Sequence, residues 1–151
     1  MQQDVVIIIP VYQQELKWYE RISLERCLDV LGPYPMVFLC PDGLLFDYGS
    51  NSRDIPRVTF PKLFFFDVKG YNQLMLSECF YEYFCDYKKI LIYQLDAFIF
   101  SDKLKEFCAL DYDFIGAPWV LGLGRQQLPN RSGGLAHVGN GGFSLRDTKA
   151  C

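Results

Sequence analysis

Three strongly apolar runs constrain the fold of this 151-residue chain more than any other feature. They occupy residues 5–12 (VVIIIPVY), 35–40 (PMVFLC) and 90–100 (ILIYQLDAFIF). A strand with one face in water alternates polar and apolar residues, whereas a strand buried on both faces is apolar throughout. The three runs therefore predict strands of a mostly parallel sheet that is covered by helices on both faces.

Helical periodicity occupies the stretches between these runs. Apolar residues recur at helical spacing over residues 15–31, which Gly32 and Pro33 terminate, and again over residues 71–87. The remaining segments predict strands at 57–60, 114–117 and 142–146, a short helix at 103–110 and a glycine-rich loop at 120–137. Alternating strands and helices predict one α/β domain over residues 1–151, connected by right-handed crossovers.

The charge pattern excludes some classes of partner. Fifteen Lys and Arg face eighteen Asp and Glu, giving a net charge of −3, and the charges are interspersed. This pattern does not favour a nucleic acid or an anionic membrane surface as partner. No apolar run approaches the roughly 20 residues of a membrane span, so we expect a cytoplasmic protein. The final strand, 142–146, has no helix after it, which predicts an exposed edge and a homo-oligomer formed there.

The carboxyl ends of the predicted strands are where an open α/β sheet binds ligands. These ends are Pro10 to Gln13, Pro41 with Asp42, Gln94 to Asp96, and Pro118 with Trp119. Asp96 interrupts the most apolar run of the chain, and two interpretations remain open for it. The strand ends at Gln94 and Asp96 caps the next turn, or Asp96 binds Mg²⁺ or Mn²⁺ carrying a diphosphate.

Two further features carry similar alternatives. The run VGNGGFSLR, residues 138–146, places Asn140, Gly141 and Gly142 before the last strand. Glycines there allow a ligand to approach bare backbone, although the same residues are typical of a tight turn without ligand. Trp119 could stack on the apolar face of a sugar ring or simply fill the core.

Taken together, the motifs carry a family resemblance. The blocks are KGYNQLMLS at residues 69–77, ILIYQLDAFIF at 90–100 with GAPW at 116–119, and VGNGGFSLR at 138–146. With these blocks the chain resembles a family of bacterial glycosyltransferase-like proteins, largely uncharacterised, of the GT-A class. The resemblance implies an α/β/α sandwich whose first strand and loop hold a nucleotide, and whose D-x-D motif holds a divalent metal on the diphosphate.

The resemblance also implies the site residues. Contacts to the nucleotide sugar are expected from Pro10, Val11, Tyr12, Asp42, Asn72, Gln94, Asp96, Asn140, Gly141 and Gly142. Asp96 is the expected ligand of Mn²⁺ or Mg²⁺, and Trp119 the expected acceptor contact. Gln94 stands where D-x-D has its first carboxylate, so Asp96 is the only carboxylate of the motif. Family members continue past the last strand with their acidic general base, so the resemblance implies that the C-terminal part of the domain is absent and leaves the catalytic base unassigned.

The implied function is transfer of a sugar from a nucleoside-diphosphate sugar to a glycan acceptor in bacterial surface polysaccharide synthesis. One alternative is a catalytically degenerate module of the same fold that binds a glycan or a protein. Another is a sugar nucleotidyltransferase, although the segment after the first strand lacks the Gly-rich loop with Arg and Lys that would hold a triphosphate.

Overall fold

A computed structural model describes residues 3–120 and 135–151, with side chains for residues 4–118 and 141–151. The strands are β1 (Gln3–Pro10), β2 (Met36–Pro41), β3 (Arg57–Phe60), β4 (Tyr87–Tyr93), β5 (Phe114–Val120) and β6 (Leu135–Asp147). The α-helices are α1 (Trp18–Leu31), α2 (Val68–Met75), α3 (Glu78–Tyr83) and α4 (Leu104–Cys108). Short 3-10 helices lie at Ser50–Ser52 and Lys62–Phe65.

The six strands form one sheet in the order β3-β2-β1-β4-β6-β5. Strands β1 to β4 pair in parallel, and β6 runs antiparallel to both of its neighbours, β4 and β5. Five strands therefore point the same way and one is reversed. The prediction of a mostly parallel α/β sheet is confirmed.

The continuous apolar run of β1 has a direct structural reason. Val6 and Ile8 pack with residues of α2 and α3 on one face, while Ile7 and Ile9 pack with residues of α1 on the other. All four of these side chains are fully buried. Because each face of the strand carries its own helical layer, neither face can be polar.

Two of the predicted elements end earlier than the sequence pattern does. The helix expected over residues 71–87 is two helices, α2 and α3, broken at Leu76 and Ser77. The Ser77 hydroxyl donates to the Leu74 carbonyl at 2.7 Å, which competes with helix continuation. The strand expected to extend to residue 100 stops at Tyr93, because the backbone turns back and Ala97 N donates to Gln94 O at 3.0 Å.

The last strand corrects two expectations. It begins at Leu135, so the glycine-rich run Val138 to Gly142 lies within β6 instead of in a turn that precedes the strand. It also lies between β4 and β5 and buries Leu145, so residues 142–146 are not an exposed edge. The edge strands are β3 and β5. The predicted oligomer contact at residues 142–146 loses its structural basis.

Within the described residues, the helices are too short and too polar for any of them to cross a membrane.

Candidate functional site

Strand order reverses around β1, and this places the candidate site. The chain moves from β1 outward to β2 and β3, then returns to add β4 on the other side of β1. The connection from β1 to β2 carries α1 on one face of the sheet, and the connection from β3 to β4 carries α2 and α3 on the other face. Such a switch point is where doubly wound sheets bind their ligands.

The end of β1 lies at this switch point. Pro10 and Val11 are buried, and Val11 N donates to Leu39 O of β2 at 2.8 Å. Val11 packs in the core on the α1 side, so its side chain is not free to flank a nucleotide. Tyr12 is 56% exposed and is the first side chain after β1 that a ligand could touch. The Tyr48 hydroxyl donates to the Gln13 carbonyl and fixes the loop that follows.

The end of β2 adds an exposed carboxylate at the same edge. Asp42 follows the last residue of β2, and its amide donates to Phe60 O of β3 at 3.0 Å. Gly43 adopts a φ of 74°, which closes the turn that the sequence predicts after residue 40. Asp42 thus lies at the carboxyl edge, as the sequence analysis expects.

The end of β4 carries Gln94 and Asp96. Gln94 is half-buried, and its backbone N–H donates to the Gly142 carbonyl of β6 at 2.9 Å. Asp96 is exposed in the turn that follows, and no hydrogen bond to its carboxylate is present among the described residues. The interpretation of Asp96 as a turn cap is therefore not supported, and its oxygens are open to a ligand.

A metal could be held here only with help from a substrate. In the part of the chain that the structure describes, no three His, Cys, Asp or Glu side chains gather closely enough to hold an ion. Hard cations such as Mg²⁺ are often bound by one or two carboxylates together with substrate phosphates. The exposed carboxylate of Asp96 fits a site in which one carboxylate and the substrate phosphates hold the cation together.

The remaining expected residues divide into two groups. Gly141 and Gly142 lie beside Gln94, since the Gly142 carbonyl accepts a hydrogen bond from the Gln94 backbone N–H. Asn72, in contrast, is an exposed residue of α2. The side chains of Asn140 and Trp119 lie outside the described residues.

A buried polar network behind Gln94 was missed by the sequence analysis. Arg146 of β6 is only 6% exposed, and its guanidinium donates to Met75 O at 3.2 Å and to Tyr81 Oη at 2.8 Å. It also donates to Ser144 Oγ at 3.1 Å and to Gly141 O at 3.3 Å. Arg146 thus ties the end of α2, helix α3 and the glycine-rich part of β6 together.

Tyr71 of α2 lies beside this network but does not bond to it. Its hydroxyl is buried and has no hydrogen-bond partner among the described residues. Burial raises the pKa of Tyr71 to about 12, while the neighbouring Gln94 and Arg146 side chains lower it to a smaller degree. The side chain of Gln94 is therefore near the Tyr71 hydroxyl, but the geometry of the two groups does not meet the criteria for a hydrogen bond.

Signals for these residues were present but ambiguous. Tyr71 falls on the apolar period of its helix, which is typical of a core residue, and its unpaired hydroxyl depends on tertiary structure. Arg146 ends the run FSLR, and a charged residue there suggests the end of a strand. Only the placement of β6 in the interior of the sheet buries it.

Comparison with protein-family models gives a match over the C-terminal two thirds of the chain. The family model described as "Protein of unknown function (DUF5672)" matches residues 54–151. No curated protein and no solved structure matches the chain. The matched region spans β3 to β6 and includes Tyr71, Gln94, Asp96 and Arg146. Because this model covers more than half of its length, the chain belongs to the DUF5672 family.

Proposed function

We propose that this domain binds a nucleoside-diphosphate sugar at the carboxyl ends of β1 and β4, and transfers the sugar to a glycan acceptor. The fold would then be of GT-A type, and the reaction would serve bacterial surface polysaccharide synthesis in the cytoplasm. One observation carries the proposal. Tyr12, Gln94 and Asp96 follow the two strands that flank the switch point of a mostly parallel sheet.

The chemistry of these side chains supports a phosphorylated ligand. Tyr12 offers an exposed aromatic ring for a nucleotide base, and Asp42 offers a carboxylate to base or ribose hydroxyls. Gln94 can donate to a phosphate oxygen. Asp96 would hold a divalent cation, which when bound supplies positive charge to the diphosphate.

In such a reaction the residues act by positioning and by electrostatics. The sugar leaves its diphosphate, and the negative charge that develops on the leaving oxygen needs stabilisation from donors that are already in place. The backbone N–H of Gln94 donates to Gly142 O, which fixes the main chain that carries this side chain at the end of β4. A glycan hydroxyl is the expected acceptor, and it takes the sugar as the nucleoside diphosphate leaves.

The first test is a thermal-shift panel of the purified chain with nucleoside diphosphates and their sugars, each with and without Mn²⁺. A ligand at 100 times its dissociation constant stabilises a protein by about 2.7 kcal/mol, which such a panel detects readily. We expect one base to be preferred, with a larger shift when Mn²⁺ is present. No shift with any compound would contradict the proposal and favour the alternative of a glycan- or protein-binding module.

Asp96→Asn gives the residue-level test. Asparagine keeps the shape of the side chain and removes its charge, so the Mn²⁺-dependent part of the nucleotide shift should disappear. Asp111→Asn is the matched control, because Asp111 is also exposed but lies after α4, near the amino end of β5. Gln94→Asp should strengthen Mn²⁺ dependence by restoring a second carboxylate. Unchanged Mn²⁺ dependence in Asp96→Asn would refute the assignment of this residue.

A further inference from the structure

The Tyr71 hydroxyl is an unusual feature of this core. It is buried, yet among the described residues nothing donates to it or accepts from it. Buried polar groups in folded proteins are nearly always paired, and an unpaired one costs stability. The neighbouring Tyr81 shows the ordinary case, since its hydroxyl donates to Met75 O at 3.0 Å and accepts from Arg146. A retained, unpaired phenol suggests a partner that arrives with a ligand.

The second unusual feature is the charge of Arg146. All four of its hydrogen-bond acceptors are neutral oxygens, and no carboxylate among the described residues forms an ion pair with it. A buried charge is normally paired, because its desolvation is costly. The Phe114 ring also lies 5.5 Å from Arg146 Cζ, so this charge is stabilised by neutral oxygens and an aromatic ring but has no anionic partner among the described residues.

Backbone geometry brings these two features to the same place. Tyr71 and Met75 are one turn apart on α2, and Arg146 Nη1 donates to the Met75 carbonyl. Arg146 Nη2 donates to Gly141 O, and the adjacent Gly142 accepts the amide of Gln94. A Cβ added at Gly141 would lie 3.3 Å from Nη2, so glycine leaves room for the guanidinium. Arg146 itself pairs with Ile90, and its guanidinium extends toward the end of β4, where the Gln94 and Arg146 side chains neighbour the Tyr71 phenol.

We propose that Tyr71 and the side-chain amide of Gln94 bind a phosphate oxygen, with the positive charge of Arg146 behind them. Hydroxyl and amide donors next to a cation, with no carboxylate in the network, suit an anionic oxygen better than a neutral hydroxyl group. This inference rests on the proposed function and deepens it. The donor diphosphate would be neutralised partly by the protein itself, independently of any cation at Asp96.

Tyr71→Phe separates a ligand contact from a structural role. Affinities for inorganic pyrophosphate and for the preferred nucleoside diphosphate are measured by calorimetry in EDTA, alongside the melting temperature without ligand. We expect both affinities to fall about tenfold, the loss of one charge-assisted hydrogen bond. The melting temperature should stay unchanged or rise, because the variant removes an unpaired buried hydroxyl. Tyr83→Phe, at an exposed tyrosine of α3, is the matched control and should change neither.

Each outcome decides the inference. If wild-type protein binds the nucleoside diphosphate and Tyr71→Phe binds it equally well, the phosphate subsite is refuted while the proposed function stands. A melting temperature lowered by several degrees in Tyr71→Phe would also refute it, because the hydroxyl would then have a structural partner. Pyrophosphate binding that Tyr71→Phe weakens, with no binding of a nucleoside diphosphate, would support the subsite and contradict the donor proposal. Binding of neither would refute both.

Discussion

Two tyrosines on opposite faces of the sheet, Tyr93 and Tyr71, differ in how their buried hydroxyls are paired. On the α1 face, the Tyr93 hydroxyl lies 2.6 Å from Ser23 Oγ and 3.1 Å from Ala97 O, and it is fully paired. On the α2 face, the Tyr71 hydroxyl has no partner among the described residues, although Arg146 and Gln94 are close by. Both phenols have a pKa raised to about 12 by burial. Burial is therefore common to both, and hydrogen bonding is what distinguishes them.

This difference distinguishes polar groups that stabilise the fold from polar groups that are available to a ligand. Ser23 and Tyr93 link α1 to β4 and to the turn after it, and together they satisfy one another. Such a closed network stabilises the domain and leaves nothing for a ligand. The α2 face instead combines structural bonds from Arg146 with an open phenol. Groups that fail to pair within the fold are the better candidates for binding.

The largest effect that tests this comparison is expected from Arg146→Met. Four hydrogen bonds from a charged, buried donor would be lost, and these tie α2, α3 and β6 together. Allowing for the desolvation cost that the substitution removes, we expect unfolding free energy to fall by about 3 kcal/mol. Urea denaturation measures this change.

The control for this variant is Arg21→Met. Arg21 is exposed on α1, and its Nε donates only a long bond of 3.3 Å to Leu16 O. Its removal should change stability by no more than about 0.5 kcal/mol. An Arg146→Met protein as stable as the wild type would show that the network on the α2 face contributes nothing to folding, and the contrast between the two faces would need a different explanation.

A smaller effect is expected from Tyr93→Phe, on the α1 face. The variant removes the hydroxyl that bridges Ser23 and Ala97, but Ser23 Oγ can still donate to Ala97 O at 2.6 Å. The expected loss of unfolding free energy is therefore about 1 to 2 kcal/mol. The same substitution at Tyr71 should not lower the unfolding free energy. Equal losses at both positions would therefore remove the distinction between the paired Tyr93 hydroxyl and the unpaired Tyr71 hydroxyl. Parallel urea titrations of the two variants make this comparison.

The sheet could be predicted from sequence because burial on both faces leaves a direct pattern. Residues 5–10 and 36–40 are strands for the reason the sequence suggests, namely that helices cover both sides. The position of β6 could not be predicted in this way. Its insertion between β4 and β5 depends on long-range pairing, such as Leu91 with Leu145, and no local pattern records that choice.

The site was predictable where it follows from strand ends and not where it depends on packing. Tyr12, Gln94 and Asp96 follow strands, so a general rule for parallel sheets selects them. Val11 obeys the same rule but packs into the core, because the strand direction turns its side chain toward α1. Tyr71 and Arg146 lie within elements, and their significance comes from a missing partner. That property exists only in the folded chain.

The smallest effect on stability is expected from Asp96→Asn, and its size decides between two roles. Asp96 is exposed, and no amide or cation among the described residues bonds to its carboxylate. A turn cap would lose about 1 kcal/mol on this substitution, whereas an open ligand site should lose less than about 0.5 kcal/mol without ligand. Urea denaturation without nucleotide or metal measures the change, with Asp102→Asn as the contrast. Asp102 accepts the Leu104 amide at 3.0 Å and the Tyr34 hydroxyl at 2.9 Å, so its substitution should be measurably destabilising. If Asp96→Asn destabilises the protein as much as Asp102→Asn does, the carboxylate belongs to the fold. It would then resemble the paired polar groups of the α1 face, and the candidate ligand contacts would be confined to Tyr12, Tyr71 and Gln94.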